Sequence, residues 1–314
     1  MSVVIAARPN VPPDEELRVA TLADRLGYHE LWVGEGFVWD SFALATAAGL
    51  ATGQIPITVG PLPVSVRDPA TIARAAASTA ALVRRPVGVA LGTSSVRVVE
   101  RMHGRSRRHA VTTLAESAQA VRALFDSAQT DIVADNYQLA LPAPGGPITV
   151  AAFGDRAIDV AARHADRMVL DLVSPELARV YRVKLEAAAH RAGRPVPTLA
   201  AWLPAAVAPG PDSLAQVAHS LVGYLGVAGY GEMFTAAGLG DAVRLAQAGA
   251  DRAELFAALA QEAMEGIGLV GDADTMHARL AAYAVAGLDE VVLVPATADD
   301  PGGERTLTAI AGVM

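Results

Sequence analysis

The amino-acid sequence predicts an α/β barrel of eight strand–helix units. Short apolar runs recur along the chain, and several follow a similar turn, as in LGYHELWVGE (26–35), RHADRMVLD (163–171) and AGLDEVVLVPA (286–296). The runs are continuously apolar instead of alternating with polar residues, which is typical of parallel strands buried on both faces. Eight such runs separated by helical stretches favour a (β/α)8 TIM barrel over a doubly wound open sheet.

The individual elements follow from this alternation. The predicted strands cover residues 3–7, 31–35, 57–60, 87–91, 148–152, 168–171, 199–207 and 291–295. The predicted helices cover residues 14–26, 42–52, 69–83, 110–125, 156–164, 175–192, 272–286 and 304–311. Proline or an acidic residue stands at the start of several helices, for example Pro69, Pro175 and Asp272, because a helix N-terminus has free amides and a positive dipole end.

Two segments exceed the length of a plain unit and predict insertions after the fourth and seventh strands. The first covers residues 92–109. The second covers residues 209–265 and contains three predicted helices, at 213–225, 233–248 and 253–263. Because loops after barrel strands lie over the active-site mouth, we expect residues 209–265 to act as a substrate lid on a single domain, 1–314.

Composition and charge exclude several classes of protein. Apolar residues make up 52% of the chain and charged residues 18%, which allows a large core and disfavours disorder. Charged residues interrupt each apolar stretch before a bilayer-spanning length of about 20 residues. The N-terminus lacks the basic start of an export signal, so we expect a cytoplasmic protein without membrane association. The net charge of −8 disfavours nucleic-acid binding, and the absence of cysteine excludes thiolate chemistry.

Familiar catalytic motifs are missing from the sequence. GIGLVG at 266–271 matches a dinucleotide fingerprint by letter, but a helix-forming segment precedes it, so we interpret it as a turn and a short extended piece. No P-loop, HExxH, GxSxG or paired-histidine spacing occurs, and no metal site is expected. The basic segment RMHGRSRR (101–108) is interpreted as a solvated or anion-facing loop. His103 and His109 lie in the first insertion and are candidates for ligand contact.

The residues that follow the second, third and fourth predicted strands suit a flat ligand. Glu35 ends the second strand, where its carboxylate would face the barrel mouth, and Asp171 ends the sixth strand in the same way. Gly60 and Pro61 end the third strand and fix an unusual backbone, for which a cis bond is one solution. Small residues after the fourth strand let a flat ring approach the backbone.

The fifth predicted strand leads directly into a helix. The free amides of residues 153–156 at that helix start would face an anion, and Arg156 adds a positive charge. We expect the Asp155 side chain to cap the helix instead of touching a phosphate. Together with the other strand ends, this predicts a site for a flat, phosphorylated ligand.

These segments resemble the luciferase-like superfamily of flavin- and deazaflavin-dependent oxidoreductases. The resemblance runs over nearly the whole chain and is carried by LGYHELWVGEGF, ITVGPLPVSVRDPATIARAAASTAAL, VGVALGTSS followed by VERMHGR, PITVAAFGDRAIDVAARHADRMVL and GLVGDADTMHARLAAYAVAGLDEVVLVPA. Within the superfamily the chain is most similar to actinobacterial members assigned to coenzyme F420, a deazaflavin hydride carrier. The resemblance implies a TIM barrel, a homodimer, and a bulge after the third strand, often with a non-prolyl cis peptide, behind the central ring of the cofactor.

The strand ends and the resemblance together give the candidate site. The predicted contacts to F420, or to FMN as the alternative, are Ala7, Glu35, Val59, Gly60, Pro61, Leu62, Gly92, Thr93, Ser94, Ala152, Phe153, Gly154, Asp155 and Arg156. The candidate catalytic residues are Glu35 and His109. Four aromatic residues are candidate contacts for a hydrophobic or aromatic substrate: Trp39, Trp202, Tyr230 and Phe234.

Two positions depart from the family pattern. Many relatives have a histidine implicated in catalysis where this chain has Gly36, and those that oxidise a sugar phosphate have a glutamate where it has Ser94 and Ser95. The second departure argues against a sugar-phosphate dehydrogenase. The resemblance implies hydride transfer between F420 and a small organic substrate. A two-component monooxygenase that uses reduced FMN and oxygen is one alternative, and a flavin-binding barrel without catalysis is another.

Overall fold

The computed structural model describes residues 1–5, 11–128, 133, 137–227, 229–259 and 261–312, and its fold class is the predicted α/β TIM barrel. Within those residues the strands β1 to β9 are Ser2–Ile5, Leu31–Val33, Ile57–Pro63, Val87–Gly92, Gly145–Ala151, Arg167–Asp171, Thr198–Val207, Leu269–Gly271 and Glu290–Pro295. The helices α1 to α13 are Pro13–Arg25, Ser41–Ala51, Pro69–Val83, Ala110–Phe125, Asp155–His164, Pro175–Ala192, Pro211–Val222, Tyr230–Phe234, Gly240–Gln247, Arg252–Ala257, Gln261–Gly266, Ala273–Val285 and Glu304–Ala311.

The chain forms two compact units, and the first, the N-terminal unit, comprises Ser2–Val169 and Val183–Leu199. In this unit the strands β1 to β6 are arranged in chain order, and each neighbouring pair from β1–β2 to β5–β6 is parallel, as the sequence predicts. The helices between these strands begin at well-defined caps. The Asp40 side chain accepts from the amides of Phe42 and Ala43 at 3.0 Å, and the Asp68 side chain accepts from Thr71 at 2.9 Å.

The N-terminal unit contains a buried ionic network that sequence analysis did not anticipate. Arg167 at the start of β6 donates to Glu30 at 2.7 Å and to Thr58 at 3.0 Å, and its Nε donates to Thr149 at 3.1 Å. The guanidinium also lies 4.3 Å from the ring centroid of Trp32. Removal of one partner from a buried pair of this kind costs about 3–5 kcal/mol, because the other charge is left without compensation.

The second compact unit, the C-terminal unit, comprises Met1, Leu170–Arg182 and Ala200–Met314. Its strand β7 pairs in parallel with β9 along residues 200–205 and with β8 along residues 205–207. The strand β8 is additional to the eight predicted strands. It lies in the GIGLVG segment, where the sequence predicts only a turn and a short extended piece, and its three residues are too few to give a periodic signal.

The described part of the segment 209–265 contains the helices α7 to α11, but two predicted helices are wrong. The sequence predicts one helix over 253–263, whereas α10 ends at Ala257 and α11 begins at Gln261. The sequence predicts a continuous helix over 233–248, whereas the structure has α8, a π-helical turn over Thr235–Leu239 and then α9. The interruption lies at Gly238, whose φ of 90° is outside the helical region. Among the described residues, no helix is both long and apolar enough to cross a bilayer.

Candidate active site

Glu35 lies in the loop after β2 and is bound on several sides. The predicted strand to residue 35 is too long, because β2 ends at Val33. Arg67, which follows β3, donates from Nε and Nη2 to the two carboxylate oxygens of Glu35 at 3.0 and 3.3 Å, and the Ser41 hydroxyl donates to Oε2. The Glu35 carboxylate therefore joins the loops after β2 and β3 through an ion pair and hydrogen bonds.

Arg67 also binds Asp40, the residue that caps α2. Its Nη2 lies 2.6 Å from Asp40 Oδ2. Burial alone would raise the pKa of Asp40, but the hydrogen bonds from Arg67 and from the first amides of α2 outweigh it and lower that pKa. The guanidinium thus holds both ends of the segment 36–39 through its contacts with Glu35 and Asp40. Sequence analysis missed Arg67, since its pairing depends on contacts 27 and 32 residues away in the chain.

The end of β3 carries the expected bulge. Its register against β4 jumps between Val59 and Leu62, and the peptide bond between Gly60 and Pro61 is cis. Gly60 has φ of 122°, and a Cβ there would lie 2.3 Å from the Ala90 carbonyl oxygen, so only glycine fits. A Cβ on Gly92 would meet Pro61 Cβ at 3.3 Å. The ends of β3 and β4 therefore form a tightly packed backbone surface.

The loop after β4 is held by Arg107, a second residue that sequence analysis missed. Its Nε donates to the Ser94 carbonyl at 2.8 Å and its Nη2 donates to Thr93 Oγ1 at 3.2 Å. The chain then forms a π-helical turn over Arg97–Met102. Arg101, Arg105 and Arg108 in the following basic segment are exposed, in agreement with its interpretation as an anion-facing or solvated loop.

The loops after β2, β3 and β4 enclose a small cavity of about 50 Å³. Its lining includes Glu35, Phe37, Pro61, Ser94 and His103. His103 therefore lies beside the bulge. His109 does not line this cavity: it is exposed, has φ of 61° and occupies the N-cap position of α4.

The start of α5 has no side-chain cap. Gly154 is the N-cap and no side chain caps this helix, so the first amides are available to an anion. The prediction that Asp155 caps α5 is wrong, because its carboxylate lies 2.8 Å from Lys184 Nζ. Arg156 is exposed in the first turn, Phe153 is half-buried, and Ala152 is buried.

The remaining predicted residues are distributed as follows. Ala7 lies outside the described residues. Trp39 is 40% exposed in the loop after β2. In the C-terminal unit, Trp202 on β7 is half-buried, Phe234 is fully buried, and the Tyr230 and Phe234 rings lie 5.8 Å apart.

A second hollow, of about 360 Å³, lies in the C-terminal unit. Its lining includes His277, Leu280, Leu288 and Val291. Leu288 precedes β9 and Val291 is near its start, so this hollow lies at the amino end of the strand. Active sites of TIM barrels lie at the carboxyl ends, which makes the loops after β2 to β5 the better candidate.

The loops after β2 to β5 fit a flat ring system with a phosphate, such as a flavin or deazaflavin. At the bulge, the backbone of residues 60 and 61 packs directly against β4. Gly60 and Gly92 have no side chains that would project from this surface. The uncapped amides of α5 and the exposed Arg156 supply donors and positive charge for a phosphate. Within the described residues, no group of three or more histidine, aspartate or glutamate side chains is arranged to hold a metal ion.

Comparison with known proteins agrees with this geometry. A sequence profile of the luciferase-like monooxygenase family matches residues 2–290. An F420-dependent secondary alcohol dehydrogenase in complex with an F420–acetone adduct is similar in structure, with a TM-score of 0.79, 18% identity and coverage of 100% of this chain and 98% of that one.

Two further structures share the fold. The coenzyme F420-dependent tetrahydromethanopterin reductase from Methanopyrus kandleri has a TM-score of 0.74 and 16% identity, with 99% and 97% of the two chains covered. The oxygenating constituent of 3,6-diketocamphane monooxygenase from Pseudomonas putida, in complex with FMN, has a TM-score of 0.69 and 17% identity, with 99% and 96% covered.

Proposed function

Because the chain belongs to the luciferase-like monooxygenase family, we propose that it is an oxidoreductase that transfers a hydride between the deazaflavin coenzyme F420 and a small organic substrate. The observation that carries this proposal is the surface of Gly60, Pro61 and Gly92, in which the two glycines have no side chain, together with an uncapped helix N-terminus. Similar structures include two F420-dependent enzymes, and the bound group of one is an F420–acetone adduct.

In the proposed complex the chain binds and orients the cofactor through its strand ends. When bound, the reduced deazaflavin supplies a hydride for an electron-poor double bond. Val59, Gly60, Pro61, Leu62, Gly92, Thr93 and Ser94 would hold the ring. Residues 152–156 would bind the phosphate through backbone amides and Arg156, and Ala7 is a further proposed cofactor contact.

Other residues position the ligand and exclude water. Glu35, ion-paired with Arg67, is proposed to keep the loop after β2 in place beside the ring. His109 is a candidate for proton exchange, and Trp39, Trp202, Tyr230 and Phe234 are proposed substrate contacts. We propose that the chain works as one domain, 1–314, with residues 209–265 as its lid.

The test is titration of the purified full-length protein with F420 while the fluorescence of the cofactor is followed. We expect saturable quenching. Arg156→Ala should weaken F420 binding by about 10-fold or more, because a charge-assisted hydrogen bond to a phosphate contributes about 1.5–3 kcal/mol. Arg163→Ala, at the far end of the same helix, is the matched control and should leave binding unchanged. Tight binding of FMN without binding of F420 would overturn the assignment.

A second candidate function is a two-component monooxygenase that uses reduced FMN and oxygen. It is favoured by the FMN complex among the similar structures and by the start of α5, which suits the phosphate of FMN equally well. Oxygen consumption with FMN, an external flavin reductase and this protein would identify it. No oxygen consumption above that of the reductase alone would exclude it.

A further inference from the structure

The cavity enclosed by the loops after β2, β3 and β4 brings His103 to the bulge of β3. His103 directly follows the π-helical turn Arg97–Met102 and lines the same cavity as Pro61, whose peptide bond with Gly60 is cis. The whole lining belongs to the N-terminal unit. His109, the other histidine of this insertion, does not line the cavity. The geometry therefore favours His103 as the histidine beside the proposed ring position.

The backbone around His103 is fixed, whereas its imidazole is available to a ligand. The His103 amide donates to the Val98 carbonyl at 3.2 Å, and the Arg105 amide donates to the carbonyl of buried Val99 at 2.9 Å. The imidazole itself is exposed, and among the described residues neither of its nitrogens has a hydrogen-bond partner. Histidine is the side chain that ordinarily exchanges a proton between about pH 5 and 8. An anchored turn thus presents a free proton-exchanging group to the cavity.

The titratable side chains that line the cavity are Glu35 and His103. Glu35, from the loop after β2, already accepts from Arg67 and Ser41. The loop after β3 contributes two prolines to the lining and no charge. The charged residues next to His103 on its own segment are Glu100, Arg101 and Arg105. Since the Glu35 carboxylate is occupied, the His103 imidazole is the lining group left to exchange a proton with a bound ligand.

Apolar side chains surround the imidazole at the rim of the cavity. Phe37, from the loop after β2, and Met102, from the segment after β4, line it and are 64% and 54% exposed. Exposed apolar side chains around a cavity are typical of a ligand-binding groove. The cavity of about 50 Å³ has room for a polar group of a few atoms. This arrangement suits a ligand with its polar end beside His103 and its apolar body against Phe37 and Met102.

We propose that His103 is a catalytic residue that protonates a carbonyl substrate, and that Phe37 and Met102 bind the apolar or aromatic body of that substrate; this rests on the proposed hydride transfer. The carbonyl carbon accepts a hydride from the reduced deazaflavin, and the electron pair of the carbonyl π bond moves to oxygen. That oxygen forms a bond to a proton of the His103 imidazolium as the N–H bond breaks. The product is an alcohol. The deazaflavin, oxidised by two electrons, releases a proton to water, and the imidazole takes a proton from water.

Contact between the substrate and His103 is tested by nuclear magnetic resonance. The full-length protein is labelled with ¹⁵N at histidine, loaded with oxidised F420 and titrated with acetophenone, and His103→Gln identifies the His103 resonances. We expect these resonances to shift saturably. Those of His29, an exposed histidine that precedes β2 at its amino end, should not move. Unshifted His103 resonances, or shifts at His109 instead, would overturn the inference.

The catalytic role is tested by comparing affinity with rate. Glutamine in place of His103 keeps a hydrogen-bond donor but cannot transfer a proton, so acetophenone affinity should change by less than about 3-fold. Hydride transfer, followed by the absorbance of the cofactor, should slow by about 100-fold or more. The parent rate should fall as pH rises, and the rate of His103→Gln should not depend on pH. His29→Gln is the matched control and should behave like the parent protein. A parental rate or pH profile in His103→Gln contradicts the role.

The placement of the apolar body is tested with two ketones. Met102→Ala removes apolar contact area, so it should weaken binding of acetophenone by about 5-fold and binding of acetone much less. Val96→Ala is the matched control, because Val96 is 48% exposed on the same segment but does not line the cavity. Equal losses for acetone and acetophenone in Met102→Ala would overturn this placement.

F420 binding, measured by quenching on the same samples, separates this inference from the proposed function. Absence of quenching overturns the proposed function and the catalytic role that rests on it. F420 binding by a parent protein that does not reduce acetophenone, or whose rate His103→Gln retains, overturns only the role of His103.

Discussion

The carboxyl groups of Glu35 and Asp171 have opposite electrostatic surroundings. Glu35 is held by a guanidinium and a hydroxyl, whereas Asp171 is half-buried beside aromatic rings with one phenol as donor. Burial raises the pKa of the Asp171 carboxyl group to about 7, and the hydrogen bond from Tyr230 opposes this only in part. Glu35 instead joins neighbouring loops through its ion pair with Arg67.

Asp171→Asn should change the pH dependence of folding stability. The carboxyl pKa is about 7 in the folded protein and close to 3.8 in the unfolded chain, so the folded state binds the proton more tightly between these values. The stability of the parent protein therefore decreases as pH rises from about 4 to about 7. Relative to the parent, Asp171→Asn should be more stable by about 4 kcal/mol at pH 8 and about equally stable at pH 4. Urea denaturation at pH 4, 6 and 8 measures this, and a constant difference across the range would contradict it.

The electrostatic contrast could not be obtained from the sequence. Position at a strand end is a local property, and the sequence predicts it for Glu35 and Asp171 alike. Ionisation depends on the partners, and Arg67 and Tyr230 are 32 and 59 residues away along the chain. Without knowledge of loop conformation, neither partner can be matched to its acid.

At the scale of elements, the bulge of β3 and the uncapped start of α5 create the candidate cofactor site. The bulge brings the backbone of residues 60 and 61 against β4, and α5 presents amides at the end of β5. Both features are made by the main chain, so they depend on backbone conformation more than on the identity of projecting side chains. Glycine at position 60 is the exception, since a Cβ has no room there.

Gly60→Ala should destabilise the protein and abolish cofactor binding. The added Cβ would lie 2.3 Å from the Ala90 carbonyl oxygen, and φ of 122° is unfavourable for alanine. A clash combined with backbone strain costs about 2–4 kcal/mol. Gly36→Ala is the matched control, because a Cβ at that position would have no atom within 4 Å, and it should change stability by less than about 0.5 kcal/mol. Chemical denaturation of both variants checks the prediction, and equal stabilities would refute it.

Element prediction from the sequence succeeded where the hydrophobic pattern was long and regular. The bulge near Gly60 was expected from the family resemblance, while the glycine and two prolines predicted an unusual backbone there. Three features went undetected or were misplaced. The strand β8 is too short to show periodicity, Gly238 breaks a helix whose other residues favour one, and Asp155 pairs with Lys184 instead of capping α5. In each case a contact or conformation outside the local pattern decided the outcome.

At the scale of the whole molecule, the number of strand–helix units predicted the fold class. Exposed apolar side chains on the outer helices bear on whether the chain forms a dimer. The helices α2 and α3 pack against each other, and Leu50 and Leu82 on them are 67% and 61% exposed. We expect these two exposed leucines on neighbouring helices to take part in the interface of a dimer. The expected homodimer, which the sequence suggested by resemblance alone, is therefore best tested at these two positions.

Leu50→Glu combined with Leu82→Glu should convert a dimer into a monomer. A carboxylate placed in an apolar interface loses hydration without gaining a partner, so association is weakened. Light scattering after gel filtration should give twice the chain mass for the parent protein and the chain mass for the double variant. Val285→Glu is the control: this residue on α12 is 76% exposed, and its substitution should leave the mass unchanged. A monomeric parent protein, or a double variant that stays dimeric, would contradict the prediction.

The clamp made by Arg67 has a consequence for how this protein can diversify. Arg67 fixes Glu35 and Asp40, and between them Phe37, Val38 and Trp39 are 64%, 37% and 40% exposed. Since these three side chains contribute little to the core, their replacement costs little folding stability. Because Arg67 binds Glu35 and Asp40 at the two ends of this loop, new side chains at positions 37–39 would keep the same position relative to the site. Laboratory evolution of ligand preference should therefore begin with a library at positions 37–39, with Glu35, Asp40 and Arg67 left unchanged.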